Sequence, residues 1–248
     1  MNTLEYKNCK VEFRDCIEGM KELDDKSIDL CLTDPPYGRG FKVHRGVNAS
    51  EDVNKDRLPY DDRCLVEGWF EEARRVSKLL IFSPGNNNLG YYAKKEPFKD
   101  FLIHLKRNGH GSTYLTFQNR IEHYLIYGDY WNWDFTHKPF SQNIIDICIE
   151  SGFLRTHKFL HPSPKTLKLW KYIIQSLNPT SVLDPFMGSG TTLEACIQLG
   201  IPCIGYELME EYRVDMEKRI ERSKYYKRPE TLEKWFDVSE SDIQQKST

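Results

Sequence analysis

Paired cysteines, long apolar runs and surplus charge are what this chain lacks, and each lack removes a class of function. Its seven cysteines, at 9, 16, 31, 64, 148, 196 and 203, are odd in number and never stand at CxxC spacing. That argues against a disulfide frame and against a zinc site, so no bound metal is expected. Several lie inside apolar runs, where a thiol acts as a small buried hydrophobe in a reducing cytosol. Without a signal peptide or an apolar run of membrane-spanning length, a cytoplasmic location is expected. A formal net charge of −2 leaves no global pull on nucleic acid, so such binding needs a local basic face. Internal repeats and long low-complexity segments are missing too. At 248 residues, 39% apolar and 29% charged, the chain suits one large α/β domain with a real core.

What is present reads as strands alternating with helices. CKVEF (9–13) predicts a strand, CIEGMKELDD a short helix and SIDLCLTD the next strand. In LVEGWFEEARRVSK, Leu65, Trp69, Phe70, Ala73 and Val76 share a helical face; the strand LLIFS and the loop PGNNNLG follow. KDFLIHLK fits strand or helix, IEHYLIYG reads as a strand, and GDYWNWDFTHKPF (128–140) is aromatic and irregular. In SPKTLKLWKYIIQSL, Ser163 suits the N-cap and Pro164 the first turn of a helix. Leu167, Trp170, Ile173, Ile174 and Leu177 form its apolar stripe. Such alternation implies a doubly wound, mostly parallel sheet. One domain is expected over 1–238, with insertions at about 38–62 and 128–160 and a disordered polar tail at 239–248.

Two strand ends carry the chemistry. In SIDLCLTDPPYGRGF the apolar strand residues Ile28, Leu30 and Leu32 run into Asp34-Pro35-Pro36-Tyr37. Proline has no N–H and restricts its neighbour, so the ladder stops in a stiff turn that carries a carboxylate and an aromatic ring. In VLDPFMGSGTTLEACIQLGIPCIGYE, Gly188 and Gly190 let backbone approach a ligand closely. Thr191 and Thr192 open a helix whose free N–H groups favour a negative group. Asp184 ends the first strand and Glu207 the second, roughly 20 residues beyond the glycines, the spacing at which an acid meets ribose hydroxyls. Full GxGxxG spacing and a P-loop lysine after Gly190 are both missing. A ligand with one adenosine and a small charged arm therefore fits better than a dinucleotide or a triphosphate. A plain glycine turn with incidental acids is the alternative; it leaves an acid closing both strands unexplained.

Together these stretches resemble the β-group amino DNA methyltransferases that use S-adenosylmethionine, over about residues 9–222. Asp34-Pro35-Pro36-Tyr37 is similar to the family's catalytic DPPY motif. DPFMGSGTT resembles its methionine-binding FxGxG motif, carried by Phe186, Gly188 and Gly190. Asp184, Pro185, Ser189, Thr191 and Thr192 complete that cofactor-binding stretch. GYELMEEYRVDMEKRI resembles the ribose-binding segment, with Glu207 as the contact, and RDCIEGM the segment whose acid, here Asp15, meets the cofactor adenine. HPSPKTLKLW, with His161 and Lys165, is similar to the HPxQKP segment that closes over the cofactor's methionine end; Pro164 and Thr166 replace its Gln and second Pro. The catalytic motif precedes the cofactor motif, the order of the β group. For that group the resemblance implies a Rossmann-like, seven-stranded, mostly parallel sheet with helices on both faces and one antiparallel strand near its edge.

The implied activity is methyl transfer from S-adenosylmethionine to the N6 amine of an adenine flipped out of double-stranded DNA. That amine's lone pair is delocalised into the ring; two acceptors, Asp34 and the Pro35 carbonyl, would draw its N–H bonds and restore electron density. Tyr37 offers a face for the extruded base, worth about 1–3 kcal/mol against a few kcal/mol of unstacking. The sulfonium brings its own activated methyl, so in-line transfer calls for neither a metal nor a covalent enzyme intermediate. No cysteine suits a nucleophile, since ring-carbon methylases need a differently placed Pro-Cys pair. Arg39, Lys42, His44 and Arg45 follow the turn, and Lys94, Lys95, Lys106 and Arg107 stand later, as phosphate contacts; a solvated surface is the bland reading of each run. FQNRIEHYLIYGD resembles the target-side segment, with Phe117 packing over the flipped base. In the β group, recognition lies between that segment and the HPxQKP-like one. The span here, with Tyr130, Trp131, Asn132 and Trp133, is too short for a recognition domain. A short target sequence, help from the loop at 38–62 or a second subunit is implied. The partners implied are double-stranded DNA, a second copy as a homodimer, and a cognate restriction endonuclease, unless the enzyme is an orphan. An aspartate-led motif favours adenine; cytosine N4, RNA or a protein glutamine amide are rival targets. A non-catalytic DNA-binding subunit is a rival of another class, opposed by the intact Asp34, Tyr37, Gly188, Gly190 and Glu207.

Overall fold

A computed structural model of the protein describes residues 2–37, 66–106, 120–129, 143–148, 159–161 and 164–226. The strands are β1 (Thr3–Tyr6), β2 (Cys9–Glu12), β3 (Ile28–Thr33), β4 (Ser77–Phe82), β5 (Asp100–Leu105), β6 (Ile121–Gly128), β7 (Ile144–Asp146), β8 (Val182–Asp184) and β9 (Cys203–Tyr206). The helices are α1 (Cys16–Lys21), α2 (Trp69–Val76), α3 (Gly85–Lys95), α4 (Leu167–Leu177), α5 (Thr191–Leu199) and α6 (Arg213–Lys224).

All nine strands join one sheet in the order β1-β2-β9-β8-β3-β4-β6-β5-β7. From β2 to β4 neighbouring strands are parallel, and β6 runs antiparallel to both β4 and β5. Those seven strands form the expected Rossmann-like sheet. Two short strands were not anticipated: β1 adds antiparallel to β2 and β7 parallel to β5. β7 lies inside the 128–160 insertion, which thus contributes an edge strand.

Side chains alternate across the sheet as the two-residue period requires. Leu30, Leu32, Leu79 and Ile81 face one cluster with Trp170, Ile173 and Ile174 of α4 and Leu193 of α5. Cys31, Leu80 and Phe82 face the other, with Met20 of α1, Trp69 and Phe70 of α2 and Tyr92 of α3. Both faces of β3 are covered, which is why it reads as a continuous apolar run. Cys9, Cys16, Cys31, Cys196 and Cys203 are buried free thiols, and burial pushes that of Cys16 up to about 12.

Two expectations are corrected. PGNNNLG is not a loop: Gly85–Lys95 is helical. Its propensity is poor, but Tyr92 is buried and accepts a hydrogen bond from Trp69 Nε1 at 3.2 Å. Ion pairs of Arg74 with Glu96 (2.8 Å) and Lys95 with Glu71 (2.5 Å) tie α3 to α2, so tertiary packing overrides local preference. α4 begins at Leu167 with Thr166 at its N-cap, later than Ser163 suggested; Pro164 and Lys165 stay in non-helical chain alongside the cleft described below. Residues 38–62 and 239–248 lie outside the described residues. No helix among the described residues is long and apolar enough to cross a membrane.

Candidate active site

β3 and β8 are parallel neighbours, paired Leu30 to Val182 and Cys31 to Leu183, so their carboxyl ends emerge side by side. The chain after β8 packs α5 on one face, while α2 and α3 cover the other. A crevice opens where chains leave a sheet to opposite faces, and ligands of open α/β sheets bind there.

Asp184 holds the two strand ends together. Its Oδ1 accepts from the Thr33 hydroxyl at 2.6 Å and the Phe186 N–H at 3.0 Å, and its Oδ2 from the Thr192 hydroxyl. Thr192 in turn accepts from Trp170 Nε1 at 2.7 Å. Burial pushes the Asp184 carboxyl up to about 6 against those donors. Both residues, expected among the cofactor contacts, thus have internal partners that join the DPPY strand, the glycine loop and α5. Pro185 is buried between them. Phe186 packs edge-on against Trp69, with ring centroids 5.4 Å apart, and so anchors the loop in the aromatic core.

Beyond the end of β9, Glu207 Oε2 accepts from the Gly188 N–H at 2.7 Å and Oε1 from the Met209 N–H at 2.9 Å. A carboxylate offers about four acceptor positions, so these two donors leave capacity for hydroxyls. Burial pushes this carboxyl up to about 7. A desolvated acid with spare acceptors at a strand end fits a vicinal diol. Gly188 (φ +52°) and Gly190 (φ +82°) are left-handed, and a Cβ on either would stand 2.9 Å from His161 Nε2 or Met216 Cγ. Ser189 accepts from Arg219 at 3.2 Å, and Thr191 donates weakly to the Lys165 carbonyl at 3.4 Å. His161 lies over Gly188; its N–H and that of Leu160 donate to buried Asp215 of α6 at 2.9 and 3.1 Å. Enclosure, with Arg219 and Lys165 nearby, lowers the imidazole to about 4, so it is neutral at pH 7. Asp15 caps α1, its Oδ1 accepting from the Ile17 and Glu18 N–H groups at 2.8 and 3.1 Å. The Glu207 N–H donates to the Glu12 carbonyl at 3.1 Å, so Asp15 and Glu207 leave adjacent strand ends.

On the DPPY side, Tyr37 donates its hydroxyl to Asp34 Oδ1 and lies 3.2 Å from Ser83 Oγ. Pro35 is buried and Pro36 half-buried. α3 cradles this turn: Asn88 Nδ2 donates to the Tyr37 carbonyl at 2.8 Å, and a Cβ on Gly85 would meet the Tyr37 ring at 2.8 Å. Lys165 Nζ lies 2.9 Å from Asp34 Oδ1 and 3.1 Å from the Tyr37 hydroxyl, and pairs closely with Glu122 of β6. Lys106 Nζ (3.3 Å) and His104 Nδ1 (3.6 Å) face the other oxygen of Glu122. Burial raises the Asp34 carboxyl while Lys165 opposes it. Burial would also raise Glu122, but Lys165, His104 and Lys106 hold it well below the usual carboxylate range.

The structure therefore brings Asp34, His161, Lys165, Asp184 and the glycine loop to one cleft, with the Tyr37 hydroxyl bonded to Asp34. Lys165, expected at the methionine end of the cofactor, has its ammonium on the DPPY carboxylate. Lys95 pairs with Glu71 and Lys106 with Glu122, so both have acidic partners within the chain. Arg39, Lys42, His44, Arg45, Phe117, Arg107 and residues 130–133 lie outside the described residues. Sequence reasoning missed Glu122, Asn88 and Gly85. Only Glu122 left a signal, an acid two residues before Tyr124 and four before Ile126 on the core-facing side of a strand.

The sequence profile described as DNA methylase matches residues 79–218, from β4 into α6. The type II methyltransferase M.HinfI of Haemophilus influenzae is 29% identical over 246 residues, covering 85% of this chain and 67% of that protein. The crystal structure of the M1.HpyAVI–SAM complex superposes with a TM-score of 0.60 at 25% identity, over 85% of this chain and 99% of that one. The cytosine-N4-specific PvuII DNA methyltransferase shares the fold, with a TM-score of 0.61 at 17% identity over 93% and 90% of the two chains. Since the profile spans more than half of the sequence, the protein belongs to the DNA methylase family of N6 and N4 amino methyltransferases.

Proposed function

We propose that the protein transfers a methyl group from S-adenosylmethionine to the N6 amine of an adenine flipped out of double-stranded DNA. The observation that carries this reading is the meeting of a DPPY turn and a diol-ready Glu207 crevice across the Thr33–Asp184 hydrogen bond. Glu207, the glycine loop and Phe186 would hold the cofactor, with Asp15 toward its adenine. When bound, that cofactor supplies a methyl activated on sulfur. Asp34 accepts one N–H of the target amine and the Pro35 carbonyl the other, which returns the nitrogen lone pair to the reaction. Tyr37, backed by Gly85, presents its ring to the base. Asp34 then takes the proton that the methylated amine sheds. Arg39, Lys42, His44, Arg45 and Phe117 are proposed to hold the DNA. A restriction–modification role is the proposed setting, M.HinfI being named a type II methyltransferase, with protection of a site from its nuclease as the consequence.

Incubation with labelled cofactor and duplex DNA, followed by digestion to nucleosides, is expected to yield N6-methyldeoxyadenosine. Recovery of N4-methyldeoxycytidine would overturn the choice of base, and no incorporation the enzymatic reading.

The cofactor half has its own test. Hydroxyl donors favour ionised Glu207, whose pKa of about 7 places the change near neutrality. Binding should therefore tighten as pH rises through 7. Between pH 6 and pH 8 the ionised fraction, and with it the affinity, rises about tenfold. Calorimetry with S-adenosylhomocysteine checks this, and Glu207→Gln should abolish the dependence. A flat wild-type profile would remove the ribose role.

A further inference from the structure

Resting on that reading, we propose that Lys165, anchored by Glu122, is a positioning residue that occupies the Asp34 acceptor in the base-free site and yields it to the incoming amine.

An ammonium has three donors, and each of Lys165's has a partner in the cleft: Asp34, Glu122 and the Tyr37 hydroxyl. Entry of a base amine replaces only the first. Lys165 keeps a full counter-charge in Glu122, so the exchange never strands a buried cation. Asp34 Oδ1, for its part, keeps the Tyr37 hydroxyl, exchanges its second donor and stays an oriented acceptor. Glu122 is what makes the exchange feasible, because with Asp34 as its only anion Lys165 would grip that carboxylate and compete with the base. The ionisable groups around Asp34 are Tyr37 on its own turn, Lys165 before α4, Glu122 and Tyr124 on β6 and Asp184 on β8. His104 and Lys106 stand behind Glu122.

The two neighbours act on Asp34 with opposite sign, which supplies a readout that mere loss of packing does not move. The acid limb of kcat/KM for DNA reports protonation of the free enzyme's essential acceptor. For Lys165→Met that limb is expected to move up by about one pH unit or more, and for Glu122→Gln to move down. Activity lost in Lys165→Met should therefore recover as pH rises. Glu122→Gln should raise KM for DNA more than it lowers kcat. The double variant should return the limb toward the wild-type position. Should Lys165→Met fail to fold, the downward shift in Glu122→Gln alone carries the test. Limbs that stay put or shift together overturn the proposal, as does a loss of cofactor affinity in Lys165→Met with an unmoved limb, which makes Lys165 a cofactor ligand. No methyl incorporation by the wild-type protein at any pH sinks the functional reading as well. Incorporation with unmoved limbs sinks this inference alone.

Discussion

Replacing Asp34 by alanine is expected to lower turnover by on the order of 10²-fold or more, while cofactor affinity stays within about twofold. The asymmetry follows from where the carboxylate sits. It is at the DPPY side of the cleft, bonded to Tyr37 and Lys165, whereas the glycine loop, which Glu207 holds through the Gly188 N–H, forms the other wall. The two walls communicate through the Thr33–Asp184 hydrogen bond, whose two partners the substitution leaves in place. An acceptor that draws an amine N–H acts most strongly as the nitrogen gains charge, so its removal is felt in the transition state. Lys165 keeps Glu122, so the variant does not bury an unpaired ammonium. Single-turnover methylation beside calorimetric titration of S-adenosylhomocysteine separates the two quantities. Equal losses in both would count against Asp34 as the acceptor.

Glu194→Ala should produce the largest loss of stability. Glu194 of α5 is fully buried and pairs with Arg219 at 2.7 Å and with Arg222, both on α6, while Gln198 donates to it at 3.0 Å. Arg219 is itself 1% exposed. Removing one member of a buried ion pair is strongly destabilising, at a cost of about 3–5 kcal/mol. For a domain of this size that lowers Tm by about 2–4 °C per kcal/mol, or roughly 6–20 °C in all. The damage should reach the glycine loop, because Arg219 also donates to Ser189 and lies 4.7 Å over the Phe159 ring, beside the segment that carries His161. Thermal melting followed by circular dichroism checks the first effect and cofactor titration the second. An unchanged melt would show that the pair does not staple α5 to α6.

Particular residues show what could be read in advance. The DPPY turn was legible because proline acts on its own residue and its neighbour, and because β3 is apolar on both faces. The Gly188–Gly190 loop and Glu207 were legible from spacing within a single βαβ unit. By contrast, PGNNNLG disguised a helix, since what holds α3 is Tyr92 in the aromatic cluster and ion pairs to α2. Asp184 and Thr192 turned inward to each other because Thr33 and Trp170, from other segments, supply their remaining partners.

Chain order and local pattern were enough for the doubly wound, mostly parallel sheet, the order of its two motifs and most residues of the cleft, because proline turns, glycine φ angles and apolar periodicity act over a few residues. Only the folded chain decided that the Lys165 ammonium would settle between Asp34 and Glu122, the nearby Tyr37 hydroxyl being 128 positions away in sequence. A buried charge goes to the counter-charges that the fold delivers, and those come from strands that no local window contains.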